Sequence, residues 1–376
     1  MRVLLSGTPA FGHLLPLLPL GRAVRAAGHE VALLTSGPMA EAVGPELPVL
    51  PAGPMPDVLF AEVARRTGGA DAAGDPKPET VAEFFAGTRV DLSIEDAAQA
   101  AKAWEPDLIV CEACDFVGPL VAAELGVPWH VMAFGPAGPD EFVQAMFQTV
   151  APRYADRGLA PTPPSSFLDP CPPSLQAPGW QPPPNRIALR PEPHRVDGST
   201  WQAPDFGDRA DRPVVVVTLG TVFTEIGLIE RILASLGSID VNVIATLGPL
   251  GDPEALDVDQ DRVRIVDFVP LAQLLDGASV VVSAGGAGTV LAALSRGLPM
   301  VLLPQGADQG IHAERVEAAG AGVVLADGGQ VGQAVAALLE DNASRTRAEA
   351  LAAEIAAMDS AADVARRLVD QAANRA

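Results

Sequence analysis

The sequence predicts an α/β protein of two halves, each a parallel sheet wound with helices, and three observations carry that reading. A strand, a glycine turn, a helix and a second strand follow one another across residues 280–303. Residues 2–35 repeat the strand–helix–strand unit near the start of the chain. Between them a proline-dense stretch, residues 161–213 with Pro182, Pro183 and Pro184 in a row, separates two such series.

In order, residues 2–6 read as a buried strand, 7–12 as a loop, 14–27 as a helix with Leu17, Leu20, Val24 and Ala27 on its apolar stripe, and 30–35 as the next strand. His13 stands where the loop becomes the helix, and His29 in the following turn reads as structural. Residues 37–91 are rich in proline, glycine and acidic side chains, with short helical pieces such as 81–85, and a loop of that length is usually functional. Helical spacing returns at 94–104. A strand at 107–111 precedes Glu112 and Asp115, a helix spans 118–125, and a strand spans 129–133. The second half opens with a strand at 214–218 ending in Leu219, Gly220 and Thr221, then alternates helix and strand to residue 303. The domain limits expected from this pattern are 1–205, with a proline-rich linker from about 161, then 206–360, and a final helical segment 361–376.

The turn after the strand at 280–282 holds Gly285, Gly286 and Gly288 and opens an amphipathic helix through Val290, Leu291 and Leu294. Such a turn exposes backbone N–H groups at the positive end of a helix dipole, which suits phosphate. The spacing is not the dinucleotide fingerprint, because Leu291 stands where its third glycine belongs. A glycine turn of this kind can also serve only to join a strand to a helix. Past the next strand come Pro304, Gln305, Gly306, Ala307, Asp308 and Gln309, where a carboxylate and an amide beside a phosphate turn can bind a polyhydroxylated ligand.

Composition narrows the function classes. A chain of 376 residues with 48% hydrophobic side chains can build two full cores. Its 25 basic against 47 acidic residues give a net charge of −22, which repels nucleic acid and anionic membranes, so neither is expected as the principal partner. A diphosphate ligand must then be held by local dipoles. Three cysteines are too few for a disulfide framework and fit a reduced, cytoplasmic setting. Cys111 and Cys114 form a C-x-x-C, yet it ends a strand rather than opening a helix, so a redox pair is the lesser reading. The apolar N-terminus is punctuated by Gly7, Pro9, Gly12, Pro16 and Pro19 and lacks a small-x-small cleavage site, so it reads as strand and helix rather than signal peptide. No apolar run approaches the about 18 residues of a membrane span.

Three segments, GTPAFGHLLPLLPLGRAVRAAGHEV at 7–31, DFVPLAQLL at 267–275 and GGAGTVLAALSRGLPMVLLPQGADQ at 285–309, together resemble the inverting glycosyltransferases of family 1. More narrowly they resemble the actinobacterial branch that decorates antibiotics and other natural products. The resemblance covers nearly the whole chain, more weakly at 37–105 and 135–212. It implies the GT-B architecture: two facing Rossmann-like domains, the first binding acceptor, the second nucleotide-sugar donor, with the last helix, here 361–371, crossing back to the first.

The implied chemistry is direct displacement at the anomeric carbon by an acceptor hydroxyl, which needs a base near neutral pKa. His13 matches the family's base by position, against the alternative of a loop histidine capping its helix. Glu112 aligns with the acidic residue that orients and charges against that base, with Asp115 the near alternative. On the donor side the resemblance places the nucleobase near Phe268, Val269 and Pro270, Phe268 being equally readable as core packing. It sets the diphosphate against Thr221, Gly285, Gly286, Ala287, Gly288 and Thr289, and the sugar hydroxyls against Asp308 and Gln309. The co-substrate is a UDP- or dTDP-linked sugar and the acceptor a small hydrophobic molecule. No metal is required, since fixed dipoles can meet the leaving-group charge, and the D-x-D at Asp257–Asp259 reads as a solvated turn. The oligomeric state is open, a homodimer included.

Two departures from the family pattern stand out. Ala284 occupies the position before the paired glycines where a phosphate-binding histidine is usual, and losing that bond costs about 1.5–3 kcal/mol unless replaced. His312 stands where an asparagine is common after the Asp-Gln pair, and either turns inward to the phosphate or caps its helix. The leading expectation is a metal-independent glycosyltransferase. The alternatives are a catalytically degenerate relative that assists another enzyme, or a sugar-nucleotide epimerase of the same architecture.

Overall fold

A computed structural model describes residues 1–43, 47–195, 201–220, 225–248, 256, 258–267 and 269–374. The chain divides into two compact units, Met1–Cys171 with Pro178–Arg190 and Met358–Ala376, and Pro172–Ala177 with Pro191–Ala357. The changeover at Arg190 precedes the limit at 205 read from composition.

The first unit is built on β1 (Arg2–Ser6), β2 (Glu30–Thr35), β3 (Val49–Pro51), β4 (Leu108–Glu112), β5 (Trp129–Met132), β6 (Phe167–Asp169) and β7 (Arg186–Ala188). They lie in the order β3-β2-β1-β4-β5-β6-β7, and every pairing is parallel. Buried residues run almost unbroken through β1 and β4, as expected of strands covered on both faces. Strand order reverses between β1 and β4, where Ser6 pairs with Cys111. Beyond the carboxyl ends of such a reversal, the loops part and leave room for a ligand.

The second unit repeats the plan with β8 (Val214–Thr218), β9 (Asn242–Thr246), β10 (Val263–Val266), β11 (Val280–Ser283), β12 (Met300–Leu302) and β13 (Gly322–Val324). Their order is β10-β9-β8-β11-β12-β13, again all parallel. Here the reversal falls between β8 and β11, with Thr218 opposite Ser283.

Three local expectations are corrected. The first helix starts before His13, as one turn over Phe11–Leu14, a 3₁₀ turn over Leu15–Leu17 and a helix over Leu18–Ala26. Pro16 and Pro19 are the second residues of the later two segments, in the first turn where the missing N–H removes no bond within the segment. Ala27 is exposed because the helix has already ended. Much of 37–91 is helical, at Met39–Val43, Pro56–Thr67 and Pro78–Ala82, the last running through a wide π turn at Glu83–Thr88 into Arg89–Trp104. Pro56 and Pro78 begin helices rather than break them. The stretch 161–213 is more than a linker, since β6 and β7 complete the first sheet at its edge, where proline is tolerated.

The last helix, Ala361–Ala373, opens with a capping box between Ser360 and Asp363. Its buried side chains Val364, Ala365, Leu368 and Ala372 belong to the same core as Leu17, Leu20 and Val24 of the first unit. Replacing the fully buried Leu368 by alanine is expected to cost about 2–5 kcal/mol of unfolding free energy, measured by urea denaturation.

Candidate active site

In the first unit, the loop after β1 and the end of β4 bring one histidine and one glutamate together. Ala10 is extended and accepts the amides of His13 and Leu14 at 3.0 Å each, which starts the helical turn presenting His13. Gly7 lets the loop lie flat against this site. A Cβ there would stand 2.8 Å from Leu14 Cδ2 and 3.2 Å from Glu112 Cγ.

Glu112, the last residue of β4, is 2% exposed. Its Oε1 accepts the Thr8 amide at 3.1 Å and stands 3.2 Å from His13 Nδ1, while Oε2 accepts the Cys114 amide at 2.6 Å. Burial pushes this carboxyl up, but the facing His13, the Cys114 amide and the Arg89 charge outweigh it and hold the pKa down at about 2. Glu112 is therefore an anion at neutral pH. A carboxylate accepts only, so it selects the imidazole with a proton on Nδ1 and leaves the Nε2 lone pair for a substrate proton. His13 is 19% exposed, and its ring packs on Phe85 at 5.4 Å and edge-on to Phe134 at 5.1 Å between centroids.

Asp115 does a different job. It is fully buried against the Arg89 guanidinium, and it accepts the amides of Val117 and Gly118, fastening the start of the helix Val117–Leu125. Arg89 also donates to the Gly7 carbonyl at 2.9 Å, tying the His13 loop to the same cluster. Two carboxylates against one guanidinium leave this buried group one charge negative, and protonation of His13 brings it to neutrality. Cys111 is buried, and burial together with the Asp115 and Glu112 charges pushes its thiol well above the ordinary range, which disfavours the thiolate. Cys114 serves the site through its amide.

In the second unit, β11 ends at Ser283, whose Oγ accepts the Gly285 amide at 3.2 Å. Gly285 has φ +93°, a left-handed conformation suited to glycine, and an added Cβ would come within 3.1 Å of the Gln309 carbonyl. Gly286 then opens the helix Ala287–Leu294, whose first turn has no side-chain cap. Its first amides, at Ala287, Gly288 and Thr289, have no side-chain cap and could receive an anion, with open space above Gly286 and Gly288.

Asp308 has a 43% exposed side chain beside this turn. Gln309 is buried, and its Oε1 accepts the amides of Gln305 and Gly306 at 2.8 and 3.2 Å, so its acceptor end closes its own loop and its Nε2 remains as a donor. Ala307, in that loop, has φ +50°, uncommon for alanine. Val269 is buried. Thr221, Phe268 and Asp257 lie outside the described residues. Asp259 holds a turn by accepting the Asp261 amide at 3.0 Å.

Sequence reading missed several members of these groups. Thr8 and Cys114 contribute only amides, which leave no trace in side-chain identity. Phe85 and Phe134 come from the π turn and the segment just past β5, far apart in the chain. Arg89 had a signal, a charged residue set among the buried positions Ala86, Val90 and Ile94 of one helical face.

Known proteins match both units of the chain. Residues 22–195 match the N-terminal domain, and residues 230–371 the C-terminal domain, of the erythromycin biosynthesis protein CIII-like family. The elloramycin glycosyltransferase ElmGT of Streptomyces olivaceus is 32% identical over 98% of this chain and 97% of its own. The structure of the glycosyltransferase SsfS6 of Streptomyces sp. SF2575 with thymidine diphosphate superimposes with TM-score 0.81 at 30% identity, covering 99% of both chains. The spinosyn rhamnosyltransferase SpnG, solved with spinosyn aglycone, does so with TM-score 0.81 at 28% identity over 98% of this chain and 100% of its own. Two parallel-sheet units of this order, matched end to end by such structures, make the fold GT-B, and the chain belongs to the erythromycin biosynthesis CIII-like glycosyltransferases, the actinobacterial natural-product branch of family 1.

Proposed function

We propose that this glycosyltransferase moves a sugar from a dTDP-sugar to a hydroxyl of a small hydrophobic natural product by a single inverting displacement, with His13 as base. The observation that carries the reading is the His13–Glu112 pair, a half-buried imidazole held by a buried carboxylate at 3.2 Å. Phe85 and Phe134 beside that imidazole suit an apolar acceptor. The choice of dTDP over UDP is supported by the relative that holds thymidine diphosphate.

In this mechanism the acceptor hydroxyl gives its proton to Nε2 of His13 as its oxygen attacks the anomeric carbon. The bond to the diphosphate breaks on the opposite face. The imidazolium that forms is stabilised by Glu112. The departing diphosphate is held by the amides of Gly286, Ala287, Gly288 and Thr289, and fixed dipoles supply this charge stabilisation without reorganisation. Asp308 and the Nε2 of Gln309 hold sugar hydroxyls. Neither a non-catalytic partner nor an epimerase is favoured, because the base pair is complete and the relatives named above are transferases. Incubation with dTDP- and UDP-sugars and a panel of aglycones tests the reading. A glycoside of inverted anomeric configuration by NMR supports it, and a retained configuration overturns the single displacement.

His13→Ala is expected to lower turnover by at least about 100-fold while leaving dTDP affinity within about twofold by calorimetry. Unchanged turnover would sink the base assignment. Glu112→Gln keeps the shape but removes the charge facing the imidazolium, so the acid limb of the kcat/KM profile should move to lower pH. The same variant has a stability signature. The pKa of Glu112 is depressed from 4.5 to about 2 on folding, so its contribution is full above about 4.5 and lost as pH falls toward about 2. Acid unfolding across that window should be shallower in Glu112→Gln than in the wild type.

A further inference from the structure

We propose that His312 is a positioning residue of the donor pocket, bracing from beneath the glycine turn that position 284 leaves without a histidine. The proposal rests on the reading of this turn as the diphosphate site. His312 lies on the helix Gln309–Ala318 and is 2% exposed. Its Nδ1 is 2.9 Å from the Gly285 carbonyl oxygen, and its Nε2 is 3.5 Å from Asp308 Oδ2.

A carbonyl only accepts, so Nδ1 carries a proton and donates it to Gly285. That nitrogen has no donor left for a phosphate. The ring also does not cap its own helix, which has no side-chain cap. Both simple expectations for this residue, a phosphate ligand or a helix cap, therefore give way to a third. The imidazole holds the carbonyl of Gly285, the residue at φ +93° on which the chain swings before presenting the amides of Ala287, Gly288 and Thr289.

The reversal needs such a brace. Ala284, 1% exposed, has no group that could reach the turn, and the Ser283 hydroxyl already accepts the Gly285 amide. With the amide held by Ser283 and the carbonyl by His312, both polar groups of Gly285 are fixed. A Cβ added to Gly285 would stand 3.1 Å from the carbonyl oxygen of Gln309, the first residue of the same helix. The second ring nitrogen faces Asp308, the exposed carboxylate assigned to the sugar. The bond from Nδ1 thus ties the helix that begins just after Asp308 to the phosphate turn, so that placing one helps to place the other. A histidine serves because its Nδ1 reaches the Gly285 carbonyl from the neighbouring helix, whereas an asparagine amide offers that carbonyl a donor at shorter reach.

The test uses the full chain as wild type, His312→Ala, His312→Asn, and His312→Ala combined with Ala284→His. Calorimetric Kd for dTDP, KM and kcat for the dTDP-sugar, and Tm are measured for each. His312→Ala should weaken dTDP binding roughly tenfold, about 1.4 kcal/mol, and raise the donor KM while the acceptor KM stays put. His312→Asn should recover part of that loss, and the double variant should recover it by supplying a histidine at 284. A merely structural role would lower Tm and leave the Kd of the folded protein unchanged, and dTDP binding by His312→Ala within twofold of wild type overturns the proposal alone. Should His312→Ala not fold, His312→Asn carries the same two outcomes. If the wild type binds neither dTDP nor UDP, the donor-site reading fails and this proposal fails with it.

Discussion

The first unit depends on one buried anion. Taking a carboxylate out of water costs several kcal/mol unless hydrogen bonds and opposite charge replace the lost hydration. Glu112 meets that cost with the amides of Thr8 and Cys114, the imidazole of His13 and the nearby Arg89 charge. These partners come from three parts of the chain, so satisfying one charge draws together the loop after β1, the turn after β4 and the helix Arg89–Trp104. The same requirement that stabilises the buried carboxylate also orients the imidazole of His13. Arg89 and Asp115 form a second buried pair beside it, and the Arg89 bond to Gly7 keeps the His13 loop from drifting away.

The second unit solves the opposite problem. Under the proposed function a chain of net charge −22 holds a diphosphate, with no lysine or arginine among the residues assigned to that turn. Backbone amides at a helix start and the dipole behind them supply the positive potential. Such a device works only if the turn is rigid, because dipoles that must reorient lose much of their advantage. Ser283 and His312 give Gly285 that rigidity, and Gln309 does the same for the loop after β12 by spending its amide oxygen on Gln305 and Gly306.

Legibility in the sequence followed the range of the interaction concerned. The apolar runs of β1, β4, β8 and β11 and the glycine turn at 285–288 were readable because strand burial and turn chemistry are local properties. The helices within 37–91 were obscured, since Pro56 and Pro78 signal a break in isolation and a start only once the following turn packs. Glu112 and Asp115 could not be separated by position. They are three residues apart on a strand end and its turn, and the direction each faces depends on what lies opposite.

Sequence alone determined the two parallel sheets, the histidine at the first loop and the amide-rich turn in the second unit, because each is encoded in consecutive residues. Tertiary structure decided which carboxylate meets His13, that Phe85 and Phe134 flank it, and that His312 turns toward Gly285. Those contacts join segments tens to hundreds of residues apart, and their geometry is set by strand order. His13 and Glu112 meet because β1 and β4 are neighbours at the reversal of the sheet, and His312 reaches Gly285 because β12 lies beside β11.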